Sequence, residues 1–133
     1  MKAVFFEREL SFEFIRFAIV GVLNTLIHLS ILYFLTEYLH IYYILSSLIG
    51  FSLAVTNSFI LNTIWTFKKN IREKAGFRYT KFFVISTLAA VINLALLYLI
   101  TEFLGVWYIL SQIVATGFSL VVNFIGNKYW TYR

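Results

Sequence analysis

Ten Asn, His, Lys or Arg side chains interrupt the apolar stretches of this chain. They are Arg16, Asn24 and His28 in the first stretch, Asn57 and Asn62 in the second, Lys81 and Asn93 in the third, and Asn123, Asn127 and Lys128 in the fourth. Their types suit one kind of chemistry, the capture of a phosphate-type oxyanion. Amide N–H groups donate to its oxygens, and Arg and Lys add charge-assisted bonds that are stronger still. Catalysis finds no comparable set. The acids at the ends of the apolar stretches, Glu37 and Glu102, have no base beside them, and no Gly-rich phosphate loop, HExxH or Ser/His/Asp set can be assembled. No catalytic residue is therefore assigned. The absence of Cys removes disulfides, thiolate metal sites and a Cys nucleophile, and with two His and six acids no metal or cofactor is expected.

The spacing places these groups on helical stripes. Gly21, Asn24 and His28 stand at i, i+3 and i+7, and Ser86, Ala89 or Ala90, and Asn93 form the matching stripe. Gly50, Ala54, Asn57, Ser58 and Asn62 form a third, and Ala115, Ser119, Asn123 and Asn127 a fourth. Small residues let helix backbones approach, and buried Asn side chains bond across helices at about 1 kcal/mol each, so plain packing also accounts for any single Asn. Snorkelling to lipid headgroups likewise accounts for any one of Arg16, Lys81 and Lys128. Depth favours a cavity: at 1.5 Å per residue Asn24 lies about 12 Å beyond Arg16 and His28 about 18 Å. The expected site is an inward-facing pocket between the two halves of the chain, holding an anionic headgroup while an acyl or prenyl tail stays in lipid.

The elements that must carry these residues are set by composition. With 61% hydrophobic and 13% charged residues in 133 and a mean hydropathy of +0.84, the chain has more apolar surface than a core of that size can hide from water. The solvent must be lipid. Apolar segments at 14–36, 41–66, 79–101 and 107–129 are each long enough to cross about 30 Å of hydrocarbon. The first is too long for a signal-peptide core and has no small-x-small cleavage pattern after it, so it reads as a retained helix. The net charge of +5 is not read as a nucleic-acid signal, because the basic residues sit at the ends of apolar runs. Lys2, Arg8 and Arg16, the six cations from Lys68 to Lys81, and Lys128 and Arg133 all fall on one side. The connections Glu37 to Ile41 and Glu102 to Trp107 have none. Both termini and the middle connection are accordingly expected in the cytoplasm. Tyr42, Tyr43, Trp107 and Tyr108 mark the outer boundary, and Trp65, Phe67, Trp130 and Tyr132 the inner one, as interface anchors.

The chain also repeats itself. Aligning 12–68 with 77–133 at an offset of 65 gives 19 identities in 57 positions without a gap. Each copy is too long for one span and suits two helices and a turn. The expected fold is an all-α membrane protein of four transmembrane helices, built as two tandem helical hairpins of the same orientation. One domain, 1–133, then comprises repeat 1 (12–68), a cytoplasmic linker (69–76) and repeat 2 (77–133), with the pseudo-axis along the membrane normal.

Three strings carry a resemblance: Arg16-Phe17-x-x-Val20-Gly21-x-x-Asn24-Thr25, Asn62-x-x-Trp65-Thr66-Phe67, and Asn123-Phe124-x-x-Asn127-Lys128-x-Trp130-Thr131-Tyr132. Together they resemble the GtrA-like family over nearly the whole chain. Ser58 holds the place of Asn123 and Thr63 that of Lys128, so the copies differ where the pattern is strongest. The resemblance implies a bacterial cytoplasmic-membrane protein that moves a polyprenyl-phosphate (undecaprenyl-type) sugar to the outer leaflet. A separate glycosyltransferase would use it there to modify O-antigen, teichoic acid or arabinan. Expected partners are that lipid, membrane lipids and a membrane glycosyltransferase, and a homo-oligomer is one way for so thin a bundle to enclose a larger cavity. The alternative is a non-transporting adaptor that recruits or stabilises the glycosyltransferase. A small multidrug exporter, also of four helices, would carry an acid inside the first span, where this chain has Asn24 and His28.

Overall fold

The computed structural model describes residues 2–133, and among these there is no strand. Helix α1 (Lys2–Glu37) is followed by α2 (Tyr43–Leu61), which runs into a π-helical turn, π1 (Asn62–Thr66). Helix α3 (Ala75–Leu104) is followed by α4 (Tyr108–Gly126) and a second π turn, π2 (Asn127–Thr131). Counting each π turn with its helix, the four rods have 36, 24, 30 and 24 residues, and all are long and apolar enough to cross a bilayer.

Helix α3 begins at Ala75, inside the expected linker, and runs past residue 101 to Leu104, and two further differences bear on the site. The polar arm before residue 14 is helical, so α1 begins at Lys2. Its residues include good helix formers, no Gly or Pro precedes Gly21, and the Ser11 hydroxyl donates back to the Glu7 carbonyl at 2.9 Å. The ends of the second and fourth rods are π rather than α. The Phe67 N–H donates to Asn62 O at 2.8 Å, and the Tyr132 N–H to Asn127 O at 3.0 Å.

Met1–Lys74 and Ala75–Arg133 form two compact units, each a hairpin. In the first, α1 packs on α2 and π1; in the second, α3 packs on α4 and π2. Both hairpins turn alike. His40 (φ 55°) and Gly105 (φ 66°), 65 residues apart, are left-handed, and Tyr42 and Trp107 then enter the next helix at φ −54°, ψ 131° and φ −55°, ψ 132°. His tolerates the left-handed region better than most side chains, which lets the first turn do without a glycine.

The cores are thin and aromatic at the termini end. Phe17 meets Phe67 edge-on at 6.3 Å between ring centroids, and Phe82 meets Tyr132 at 6.4 Å. Phe67 and Tyr132 are therefore buried inside their hairpins and are not interface anchors, as their spacing had suggested. Tyr42, Tyr43, Trp107, Tyr108, Trp65 and Trp130 are exposed, as an aromatic belt requires. Close helix approach is set by small residues. A Cβ built on Gly50 would lie 2.8 Å from His28 Cδ2 and 3.2 Å from His28 O, so only glycine fits there. Exposed Val22, Leu26 and Leu29 on α1, and Leu88, Val91 and Leu94 on α3, present apolar surface that only lipid or another apolar surface would cover.

Candidate lipid-phosphate site

Hairpin 1 brings four of the expected residues, Arg16, Asn24, His28 and Asn57, into three local groups. At the termini end, the Arg16 guanidinium carbon lies 5.9 Å from the Trp65 ring centroid, a cation–π pairing between α1 and π1. Two turns deeper, Asn57 Nδ2 donates to Asn24 Oδ1 at 2.9 Å across α1 and α2. Asn24 is only 8% exposed, and its own Nδ2 has no hydrogen-bond partner. That is an unusual expense in an apolar span, since a buried donor left unmet costs about 1–3 kcal/mol. Deeper again, His28 Nε2 lies 3.2 Å from the Ser47 carbonyl oxygen and 3.4 Å from its hydroxyl. A proton on Nε2 would donate to that carbonyl.

Hairpin 2 places its residues at the same levels with different chemistry. Lys81 Nζ lies 5.2 Å from the Trp130 ring centroid and 4.3 Å from that of Phe77, and it donates to the Trp130 carbonyl oxygen at 3.3 Å. At the Asn24–Asn57 level the chain has Ala89 and Val122, and the Ser119 hydroxyl donates to Ala89 O at 2.8 Å instead. At the His28–Ser47 level, Gln112 Nε2 donates to Asn93 Oδ1 at 3.0 Å and also to Thr116 Oγ1 at 2.9 Å.

Asn62 and Asn127 occupy a different setting. Both are fully enclosed at the first position of their π turns. The Thr66 hydroxyl donates to Asn62 Oδ1, and the Thr131 hydroxyl to Asn127 Oδ1, each at 2.7 Å. Asn62 Nδ2 donates to Ser58 Oγ at 3.0 Å, whereas Asn127 Nδ2 donates to Asn123 Oδ1 at 2.7 Å and Asn123 O at 2.9 Å. These amides are spent on clamping the π turns, and Asn123 shares in the clamp. Lys128, half-buried, follows Asn127 within π2.

An open cavity of about 340 Å³ lies at the termini end of hairpin 1, lined by Glu9, Phe12, Glu13, Arg16, Thr66, Phe67 and Lys68. Of these residues only Arg16 is expected from the stripes. Apart from Thr66, which ends the second apolar run, the others escape a reading confined to those runs, because the helical arm and the residues after π1 lie outside them. Ser47 and Gln112 are also missed, although a polar residue 19 positions after His28 and after Asn93 is the signal that pairs them. Among the described residues no group of three or more His, Cys, Asp or Glu could hold a metal ion. The arrangement offers anion capture at the helix ends and a ladder of hydrogen-bonding groups descending into each hairpin.

The chain is 34% identical to the membrane protein YngA of Bacillus subtilis (strain 168) over 118 residues, covering 88% of this chain and 77% of that one. It is 28% identical over 120 residues to the bactoprenol-linked glucose translocase of Salmonella phage P22, covering 90% and 94% respectively. A 30% identity over 118 residues to the dolichol-phosphate mannosyltransferase of Pyrococcus furiosus (strain ATCC 43587 / DSM 3638 / JCM 8422 / Vc1) covers 89% of this chain but only 33% of that enzyme. Residues 16–132 match the family described as GtrA/DPMS, transmembrane domain. With four spanning helices and that match over most of its length, the chain is a multi-pass membrane protein and belongs to the GtrA/DPMS transmembrane domain family.

Proposed function

We propose that the protein moves a polyprenyl-phosphate-linked sugar from the cytoplasmic to the outer leaflet of a bacterial inner membrane, for glycosylation of a surface polysaccharide or teichoic acid. The observation that carries this reading is the Asn24–Asn57 pair. It places a buried, unmet amide donor about 12 Å inside the span from the Arg16–Trp65 pair. A cation at the membrane surface followed by unmet hydrogen-bonding capacity suits a polar headgroup that must pass through hydrocarbon. The likeness to the phage P22 translocase, over 94% of its length, supports the same reading.

In this reading Arg16, Lys81 and Lys128 meet the phosphate. Asn24, Asn57, His28, Asn93 and Asn123 offer hydrogen bonds along the path, and Asn62 and Asn127 hold the π turns that present Trp65 and Trp130. The termini and the segment 69–76 lie in the cytoplasm, because every Lys and Arg falls on that side. The role is transport and not catalysis. The test is a reconstitution: pure protein in liposomes is given a labelled prenyl-phosphate hexose in one leaflet, and its appearance in the other is timed. Movement no faster than in protein-free liposomes sinks the proposal.

A second reading, a membrane adaptor for a glycosyltransferase, is favoured by one observation. The matched region is a third of a dolichol-phosphate mannosyltransferase, an enzyme chain that carries such a region alongside the rest of its length. Co-purification with a glycosyltransferase, without lipid movement, would select it.

A further inference from the structure

The cavity at the termini end of hairpin 1 has a charge pattern that the matching positions of hairpin 2 do not repeat. Its wall combines two carboxylates, Glu9 and Glu13, with two cations, Arg16 and Lys68, beside Thr66, Phe12 and Phe67. At the offset of 65, Phe12, Arg16, Thr66, Phe67 and Lys68 correspond to Phe77, Lys81, Thr131, Tyr132 and Arg133, all of like kind. Glu9 and Glu13 correspond to Lys74 and Arg78. Within the copies the reversal of sign is Glu13 against Arg78, and just before them Glu9 stands against Lys74 at the same offset.

We propose that this cavity is the sugar subsite: Glu9 and Glu13 accept hydrogen bonds from the hydroxyls of a neutral pyranose, while Arg16 and Lys68 hold the phosphate that joins it to the prenyl chain. The proposal rests on the translocation reading and names the headgroup class that it handles. Charged acceptors make the stronger hydrogen bonds to hydroxyls, and an aromatic face such as that of exposed Phe12 suits the C–H face of a sugar ring. The volume, about 340 Å³, sits at the low end of the roughly 300–1,000 Å³ of small-ligand sites, the scale of one sugar unit and not of an oligosaccharide. The carboxylates also exclude: a uronic acid would set a further carboxylate against Glu9 and Glu13.

The test is calorimetric titration of the full chain in nanodiscs with two short-chain lipids, a prenyl phosphate bearing glucose and the same prenyl phosphate without sugar. The variants are E9Q, E13Q and R16Q. E9Q is the cleaner of the two carboxylate changes, because Glu9 is exposed and its replacement leaves the hairpin core untouched. The expected result is that E9Q and E13Q each weaken binding of the glucose-bearing lipid about tenfold and binding of the bare phosphate less than twofold, while R16Q weakens both. A glucuronate-bearing lipid should bind the unaltered chain more weakly than the glucose-bearing one. If E9Q and E13Q leave the glucose-bearing lipid unaffected, or weaken both lipids equally, the sugar subsite is overturned while translocation stands. If the unaltered chain binds neither lipid, both readings fall.

Discussion

Asn57 donates its amide to Asn24 across hairpin 1, and the donor that Asn24 itself carries is left facing no partner. The second hairpin has Ala89 and Val122 at these two positions and needs neither bond. A chain that tolerates apolar residues at this level in one copy keeps a costly polar pair in the other. The double variant N24A/N57V, which copies the second hairpin, should hold stability within about 1 kcal/mol, because both partners go together. Transport in liposomes should fall at least tenfold. Denaturant unfolding in micelles and the leaflet-exchange assay read the two effects separately. By contrast, N57V alone should cost about 1–3 kcal/mol, since it leaves the Asn24 carbonyl oxygen unmet as well.

The Arg16–Trp65 pairing predicts a charge requirement at the entrance. R16Q should weaken binding of bare prenyl phosphate about tenfold, equivalent to about 1.4 kcal/mol, while R16K keeps the charge and loses less. W65L should raise the salt sensitivity of the same titration, because the guanidinium loses the ring that orients it.

Helix approach at Gly50 leaves no room for a side chain. G50A should lower the melting temperature in detergent, with a stability loss of about 1–3 kcal/mol from overpacking against His28. Gly21 has nothing within 4 Å of a built Cβ, so G21A should be close to neutral. Size-exclusion chromatography after a heat step ranks the two variants.

Both π turns are clamped by a threonine hydroxyl on an asparagine carbonyl oxygen. T66V and T131V should each cost about 1–3 kcal/mol by leaving a buried acceptor without its donor. Serine at either position should restore most of the loss. Amide hydrogen exchange at Phe67 and Tyr132 reports whether the π hydrogen bonds to Asn62 and Asn127 open more often.

Orientation can be read directly, because the chain contains no cysteine. An impermeant maleimide added to intact cells should label H40C and leave N70C unlabelled until the membrane is permeabilised. The reverse pattern overturns cytoplasmic placement of the termini and of the segment 69–76.

The four spans were legible in the sequence because apolar length alone fixes them, and the hairpin turns because Lys and Arg are absent there. Less legible was anything that depends on a partner across the hairpin. Phe67 and Tyr132 sit two residues after a tryptophan and look like belt aromatics, and only Phe17 and Phe82 reveal them as core. The π turns have no one-residue signature, although the recurring Asn-x-x-x-Thr spacing of Asn62–Thr66 and Asn127–Thr131 is the clamp that holds them. Of the candidate residues, Asn24 and His28 share a stripe on α1, but their partners Asn57 and Ser47 on α2 emerge only from the packing of the two helices. Glu9 and Glu13 did not stand out because helix α1 was expected to begin only at residue 14, and a polar arm without a helix gives a cavity no wall.

One property of the π turns reaches beyond stability. Such a turn holds a residue more than an α-helical turn, and that surplus can be handed along the backbone one step at a time. Each handover would swivel the side chains it passes by about 100°, the angle between neighbours in an α-helix. Trp65 and Trp130 stand within these turns, so a step of that kind would turn them relative to Arg16 and Lys81.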